Sequence, residues 1–236
     1  MIRKNIVLLG LSFLVLTNLY SQTKREFSVW TFWNNSHKFN DRWGLQGDIQ
    51  VRSADEVKYI RQFIIRQGVT YYFNKKQMAT LGYAFVENFK RDEGIPNNDL
   101  HEHRIWEQFV QQHKIARGFF NHRFRFEQRF LEQNVGDDVF SQRFRYSLKA
   151  LIPFKKYGGE FKKGVYLSMQ DEVFLNVQNK EKMNNSTFDQ NRLYAGLGIR
   201  LNPKLDLELG YNNQYIKGLR GNTVNNITQV ALITKF

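Results

Sequence analysis

The stretch VALITKF, residues 230–236, decides the fold. Val230, Leu232, Thr234 and Phe236 fall on one side of an extended chain, and the residues between them fall on the other, because successive side chains of a strand alternate. One apolar face and one mixed face, ending on an aromatic ring, are typical of a transmembrane barrel strand with a lipid side and a lumen side. The alternative interpretation is a soluble domain whose last strand happens to end in Phe.

The same period of two runs through most of the chain. A helix is excluded in these segments because apolar residues recur at i, i+2 and i+4. Five segments show the alternation most clearly, each with about the ten residues that a tilted strand needs to cross a bilayer: Trp43–Arg52, Phe120–Phe130, Arg143–Ala150, Arg192–Leu201 and Leu205–Gln214. Less regular strands are predicted in four places: Tyr59–Phe73, Met78–Lys90, Leu100–Val110 and Val165–Asn176.

Together with the terminal strand, these nine segments give ten strands from Arg42 onward. The predicted fold is all-β, an antiparallel transmembrane (outer-membrane) β-barrel of about 10–12 strands. The segment Phe27–Trp33 also reads as a strand, and an eleventh strand departs from the even number usual in bacterial barrels. Two explanations are open: the segment lies in the lumen or at the rim, or a further strand brings the count to twelve.

The connections between the predicted strands differ in length. Short turns are expected on the periplasmic side, at 74–76 and 202–204. Longer polar connections are expected on the outside, at 91–99, 131–138, 178–190 and 217–224.

The first 21 residues have the composition of a secretory signal peptide. Arg3 and Lys4 precede the apolar run Ile6–Leu16, and small and polar residues follow it. The run is too short for a membrane helix, which needs about 20 apolar residues. We expect cleavage after Ser21, which leaves residues 22–236 as a single barrel domain. The expected location is the outer membrane of a Gram-negative cell.

Composition excludes several classes of function. The chain has no cysteine, which removes thiolate catalysis and thiolate-bound metal and suits passage through an oxidising periplasm. Mean hydropathy is -0.55, while aromatic residues make up 15% of the chain, and this combination suits a lipid-facing surface around a polar interior. The net charge of +13 would fit nucleic acid, but secretion and the lack of a helical basic stripe argue against it. Outer-membrane lipids are the expected partners instead.

The predicted inner faces of two neighbouring strands form a basic wall. This wall carries six bases and one acid: Arg123, Arg125, Arg129, Arg143, Arg145, Lys149 and Glu127. A functional interpretation is an anion-selective constriction, or a site for a phosphate- or carboxylate-bearing ligand, because arginine forks match such groups. A structural interpretation pairs the bases with acids of other strands: Glu172, Glu102, Asp48, Asp206 and Glu208.

We expect the structural interpretation to dominate, because unpaired buried charges are costly. Lys149, Arg123 and Glu208 are expected at similar heights near the periplasmic end. Arg192 and Arg200 add two bases on a further strand, which leaves a small basic surplus. The predicted lumen is therefore largely filled by salt bridges and has a low conductance.

Histidines are the remaining candidates for chemistry. His101 and His103 share one face of a predicted strand, but no third ligand is identifiable, so neither a metal nor another cofactor is expected. His122 lies on the lipid side of its strand, where a polar residue is unusual. Some small outer-membrane barrels are lipid hydrolases or acyltransferases that use Ser and His, yet Ser141 and Ser168 point inward and no serine-elbow motif is present.

The expected function is that of a structural or small-solute channel barrel and not of an enzyme. A lipid-modifying enzyme and a binder of an anionic ligand are the alternatives. The barrel is expected to be a monomer.

Three motifs combine arginine with aromatic residues: His103–Gln108, Arg123–Phe130 and Arg143–Tyr146. With these motifs, an early Trp30 and a strand ending at Arg52, the chain resembles a family of Gram-negative barrels recorded as a domain of unknown function. The resemblance covers nearly the whole mature chain and implies an outer-membrane barrel without a particular activity. Phe236 is expected to be part of the assembly signal that the barrel-assembly machinery reads during biogenesis.

Overall fold

The alternating segments form strands that close into one barrel. The structure, a computed structural model, describes residues 23–54, 56–89, 91, 99–155 and 160–236, and the predicted signal peptide, 1–21, lies outside the described residues. The strands are β1 Thr23–Lys38, β2 Trp43–Ala54, β3 Tyr59–Tyr72, β4 Gln77–Asn88, β5 Leu100–Ile115, β6 Gly118–Leu131, β7 Val139–Pro153, β8 Gly164–Gln178, β9 Phe188–Asn202, β10 Leu205–Ile216 and β11 Asn222–Lys235. One 3₁₀ turn, Lys180–Lys182, lies between β8 and β9.

Each strand pairs antiparallel with the next one along the chain, and β1 closes the barrel by pairing parallel with β11. A closed ring with an odd number of up-and-down strands must contain one pair of neighbours that run in the same direction. The predicted barrel is confirmed, with eleven strands in the described residues. Both explanations for Phe27–Trp33 are wrong, because this segment is part of β1 and pairs with β11 on one side and β2 on the other.

The two faces of the wall differ in polarity. Large apolar side chains such as Leu81, Leu193 and Leu209 are exposed on the outer face, while the buried side chains inside are largely polar or charged. This distribution is the reverse of a soluble domain, in which buried polar groups are the exception. The described residues include no helix that is long and apolar enough to cross a membrane.

The connections distinguish the two ends of the barrel. The loop end carries the four-residue connection between β2 and β3 and the longer connections that follow β4, β6, β8 and β10, and the turn end carries 39–42, 73–76, 116–117 and 203–204. One connection at the turn end, 154–163, is longer than the prediction of short turns there. Its buried Phe161 accepts a hydrogen bond from Arg200 Nη1 at 2.7 Å through its carbonyl oxygen, so part of this connection lies over the lumen.

Glycine permits aromatic rings to lie against the wall inside the lumen. Tyr166 and Gly198 are direct cross-strand partners, and a Cβ atom on Gly198 would lie 2.2 Å from the Tyr166 ring. Trp106 lies over Gly82 in the same way. Both rings therefore occupy space that any larger residue at the glycine position would fill.

Candidate functional site

The interior of the barrel holds a dense set of ion pairs, here called the lumen charge network. Ten bases lie within ion-pair distance of seven carboxylates: Arg66, Arg104, Arg123, Arg125, Arg129, Arg143, Arg145, Lys149, Arg200 and Lys235 with Asp48, Glu102, Glu127, Glu172, Asp189, Asp206 and Glu208. Nine different strands supply the carboxylates and bases of the network. The network therefore depends on the closed barrel.

Glu127 lies at the centre of the network. Its oxygens accept hydrogen bonds from Arg143 Nη2 and Arg145 Nη1, both at 2.6 Å. Arg145 also donates to Glu172 at 2.8 Å, and Arg123 donates to the same carboxylate at 2.5 Å. Arginines and glutamates thus alternate across β6, β7 and β8, as charge-assisted hydrogen bonds favour.

Arg125 is the least neutralised member of the predicted basic wall. Its nearest carboxylate oxygen, on Glu127, is 3.9 Å away. Its guanidinium donates instead to Gln108 Oε1 at 2.7 Å and lies 4.4 Å from the centre of the Trp106 ring. Its Nη1 is buried without a hydrogen-bond partner among the described residues.

The loop end of the network is organised around Glu102. Arg104 and Arg129 each donate two hydrogen bonds to this carboxylate. Arg143 also extends towards the loop end, where it donates to Asp189 at 2.9 Å. The sequence reasoning missed Arg104, although its spacing of two residues from Glu102 places both on one face of β5. Asp189 was also missed, because it lies beside a shift in the β8–β9 register that alternation does not reveal.

The turn end contains two further carboxylates. Lys149 donates to Glu208 at 3.1 Å, which agrees with their expected similar heights, but Arg123 pairs with Glu172 instead. Tyr166 and Ser168 donate to Glu208 as well. Two bases share the second carboxylate, Asp206, at 2.7 and 2.8 Å: Arg200 and Lys235.

Asp48 was expected to pair with the basic wall, but it does not reach it. It accepts hydrogen bonds from Arg66 at 2.9–3.2 Å and from Gln50 at 2.6 Å. Arg66 is its direct cross-strand partner on β3, so the nearer base takes the carboxylate.

Two lumen arginines lie beyond ion-pair distance of any carboxylate among the described residues. Arg52 donates to the side-chain oxygens of Gln50 and Gln62, and Arg192 donates to that of Gln190. Together with the ten bases that share seven carboxylates, they give the lumen a larger basic surplus than expected. The expectation of a small basic surplus was wrong, because four bases were not counted: Arg52, Arg66, Arg104 and Lys235.

The lumen contains two chambers. The outer chamber, at the loop end, has a volume of about 770 Å³, and the inner chamber, towards the turn end, has about 300 Å³. Five residues line both chambers and therefore form the constriction between them: Trp30, Arg52, Arg66, Arg145 and Arg192. Four of these five are arginines.

The candidate histidines all lie on the outer face. His101 Nδ1 is 2.8 Å from Glu87, and His103 contacts the Tyr83 hydroxyl. The described residues contain no group of three or more side chains suited to holding a metal ion. His122 Nδ1 forms a hydrogen bond of 2.8 Å with the Tyr146 hydroxyl and stacks on His113.

The two candidate serines lie on the opposite, inner face of the wall. Ser168 donates to Glu208 and Ser141 to the backbone oxygen of Gln178, so the structure does not bring either serine to His122.

Phe236 lies at the turn end and is 60% exposed. Its backbone N–H donates to the backbone oxygen of Ser36 at 2.8 Å, and its own backbone oxygen accepts from the Lys38 N–H at 2.7 Å. The last residue thus extends the pairing of the β1–β11 seam.

Comparison with known proteins places the chain in a family. The model of the family described as "Protein of unknown function (DUF2490)" matches residues 27–225. The chain belongs to this family. The DUF2490 match contains every member of the lumen charge network except Lys235, and it confirms the resemblance to a domain of unknown function.

Two individual proteins are also similar to this DUF2490 chain. An uncharacterized protein of Methylorubrum extorquens is 29% identical over 168 residues, which cover 71% of this chain and 69% of the relative. The crystal structure of the siderophore receptor PirA from Pseudomonas aeruginosa matches with 12% identity and a TM-score of 0.31. That match covers 76% of this chain and 32% of the receptor, so the chain spans about a third of the receptor's length.

Proposed function

We propose that the chain is a monomeric outer-membrane barrel that passes small anions at low conductance. Support for the location comes from the apolar outer face, on which leucine, valine and aromatic side chains are exposed along most strands. The closed ring also leaves no unpaired strand edge, as the membrane interior requires. A chain with both properties is suited to lipid without a partner subunit.

The observation that carries the proposed low conductance is the constriction between the chambers. Arg66 and Arg145 are held there by Asp48 and Glu172, so their side chains are fixed across the path. Ions would have to pass these groups within a space already filled by hydrogen-bonded side chains. A pore of this kind would conduct far less than the open channel of a large porin.

The anion preference follows from charge. Arg52 and Arg192 add positive charge at the constriction without a paired carboxylate, and rings of arginine favour anions in pores. This unpaired charge lies at the constriction between the chambers, so it would act on every ion that passes.

Two measurements test the proposed function. Membrane fractionation and gel mobility before and after boiling should give an outer-membrane protein whose mobility changes on heating. Purified protein in a planar bilayer should give a small current whose reversal potential favours chloride over potassium. Arg192→Gln should weaken this preference, whereas Arg42→Gln should not, because Arg42 is exposed at the turn end. A soluble protein, a large steady current or a preference for potassium would contradict the proposal.

A further inference from the structure

Two guanidinium groups converge on one indole ring at the constriction. The Cζ atom of Arg52 lies 4.0 Å from the centre of the Trp30 ring, and that of Arg192 lies 5.1 Å from it. Arg192 is also 4.6 Å from the Phe174 ring. The negative faces of aromatic rings attract cations, so the Trp30 ring offsets part of the charge of both groups.

Neutral amides position both groups. Three hydrogen bonds fix Arg52, two to Gln50 and one to Gln62, at 2.6–3.1 Å. Gln190 accepts from Arg192 at 3.1 Å and from Gln214 at 2.5 Å. The amides orient the guanidinium groups but leave their charges uncompensated, whereas carboxylates would have neutralised them.

Both arginines keep donors for a further partner. A guanidinium has five N–H groups, of which Arg52 uses three in the hydrogen bonds above. Arg192 uses one, and its Nε is buried without a partner among the described residues. Arg52 is only 8% exposed, so water compensates its charge poorly. Burying such a charge is costly unless a counter-charge is supplied.

We propose that Arg52 and Arg192 bind the phosphate group of a small soluble ligand at the floor of the outer chamber, beside Trp30. Arginine forks match the geometry of phosphate oxygens and bind them in pairs. A doubly charged oxyanion would compensate both guanidinium groups at once. This inference deepens the proposed function, and it rests on the outer-membrane location proposed there.

The outer chamber has room for such a ligand. Its volume of about 770 Å³ lies within the range of small-molecule sites, about 300–1,000 Å³. Leu219 and Arg61, which line the same chamber, are partly exposed at the loop end. A free phosphate ion and a small phosphate ester would therefore both reach Arg52 and Arg192 from that side.

Equilibrium dialysis of the purified, full-chain barrel with radiolabelled inorganic phosphate tests the site. Wild-type protein should bind one phosphate per chain saturably, and Arg52→Gln with Arg192→Gln should weaken binding about tenfold or more, because the variant loses both charged donors to the anion. Competition by unlabelled glycerol phosphate shows whether a phosphate ester occupies the same site. Heat-modifiable gel mobility confirms that each variant is folded.

Arg61→Gln is the matched control. Arg61 lines the outer chamber too, but Glu26 pairs with it at 2.8 Å, so its loss should leave phosphate binding within about twofold of wild type. Equal losses in both variants, or no saturable binding by wild type, would overturn the site even if the chloride current is present. Saturable binding without any chloride current would support the phosphate site and contradict the proposed passage of anions.

Discussion

Glu127 is 1% exposed, and each of its carboxylate oxygens accepts a hydrogen bond from a different arginine. Arg143 and Arg145 each bind a second carboxylate, Asp189 and Glu172. At the scale of single residues, Glu127 therefore joins the carboxylates of β8 and β9 through two bridging bases. Removing one partner of such a set leaves buried charge uncompensated, which costs more than the pair contributes.

Glu127→Gln should lower the free energy of unfolding by about 3–5 kcal/mol. The amide removes the negative charge and turns a donor group towards an arginine. Urea unfolding in lipid vesicles, followed by tryptophan fluorescence, measures the change. Glu107→Gln is the control, because Glu107 is exposed on the outer face and bonds only weakly to Gln128 at 3.2 Å. Equal effects of the two substitutions would contradict the central role of Glu127.

At the scale of strands, the contact between β8 and β9 depends on the pairing of Tyr166 with Gly198. The ring lies so close to the glycine that a methyl group there would overlap with it. The Tyr166 hydroxyl also donates to Glu208 at 3.0 Å. A displaced ring would therefore lose both its packing and its contact with the network.

Gly198→Ala should destabilise the barrel by about 1–3 kcal/mol, the usual cost of overpacking. The cost should nearly vanish in a Tyr166→Ala background and persist in a Tyr166→Phe background, because only the first substitution removes the ring. A double-mutant cycle of unfolding free energies gives the coupling. Simple additivity of Gly198→Ala and Tyr166→Ala would show that the ring and the glycine do not interact.

The sequence predicted the strands better than the contacts between their side chains. Alternation assigns a side chain to a face, and this was sufficient for the apolar outer surface and for the basic side chains of β6 and β7. It does not give the relative heights of distant strands, which depend on the tilt and register of the closed barrel. The expected similar heights of Lys149 and Glu208 agree with their contact, but Arg123, expected at the same height, pairs with Glu172. Asp48 was placed against the wrong bases for the same reason. The convergence of Arg52 and Arg192 on Trp30 needs three strands, β1, β2 and β9, and no local pattern contains it.

At the scale of the whole molecule, the closing contact is the parallel seam between β1 and β11. Its register runs from Thr23 opposite Asn222 to Ser36 opposite Lys235. The Trp33 Nε1 donates to the Thr234 hydroxyl at 3.1 Å across this seam. These contacts join residues from nearly opposite ends of the described chain, so they require all intervening strands to be in place.

A pair of cysteines can test the direction of β1, since the chain contains no cysteine of its own. Asn35 and Thr234 are direct partners across the seam, so the Asn35→Cys, Thr234→Cys variant should cross-link on oxidation. Cross-linking should alter its mobility on a denaturing, non-reducing gel. The Thr23→Cys, Thr234→Cys variant should stay uncross-linked, because Thr23 lies at the loop end. The opposite result would mean that β1 runs antiparallel to β11.

The parallel seam also decides how the two ends of the described chain are distributed. Since β1 and β11 run in the same direction, the chain enters the wall at Thr23 on the loop side and leaves it at Lys235 on the turn side. In a barrel with an even number of strands, both ends emerge into the same compartment. Here a membrane sealed around the outer face would put them in different compartments. A peptide joined ahead of Thr23 would be displayed beside the long connections, while one joined beyond Lys235 would face the opposite solution.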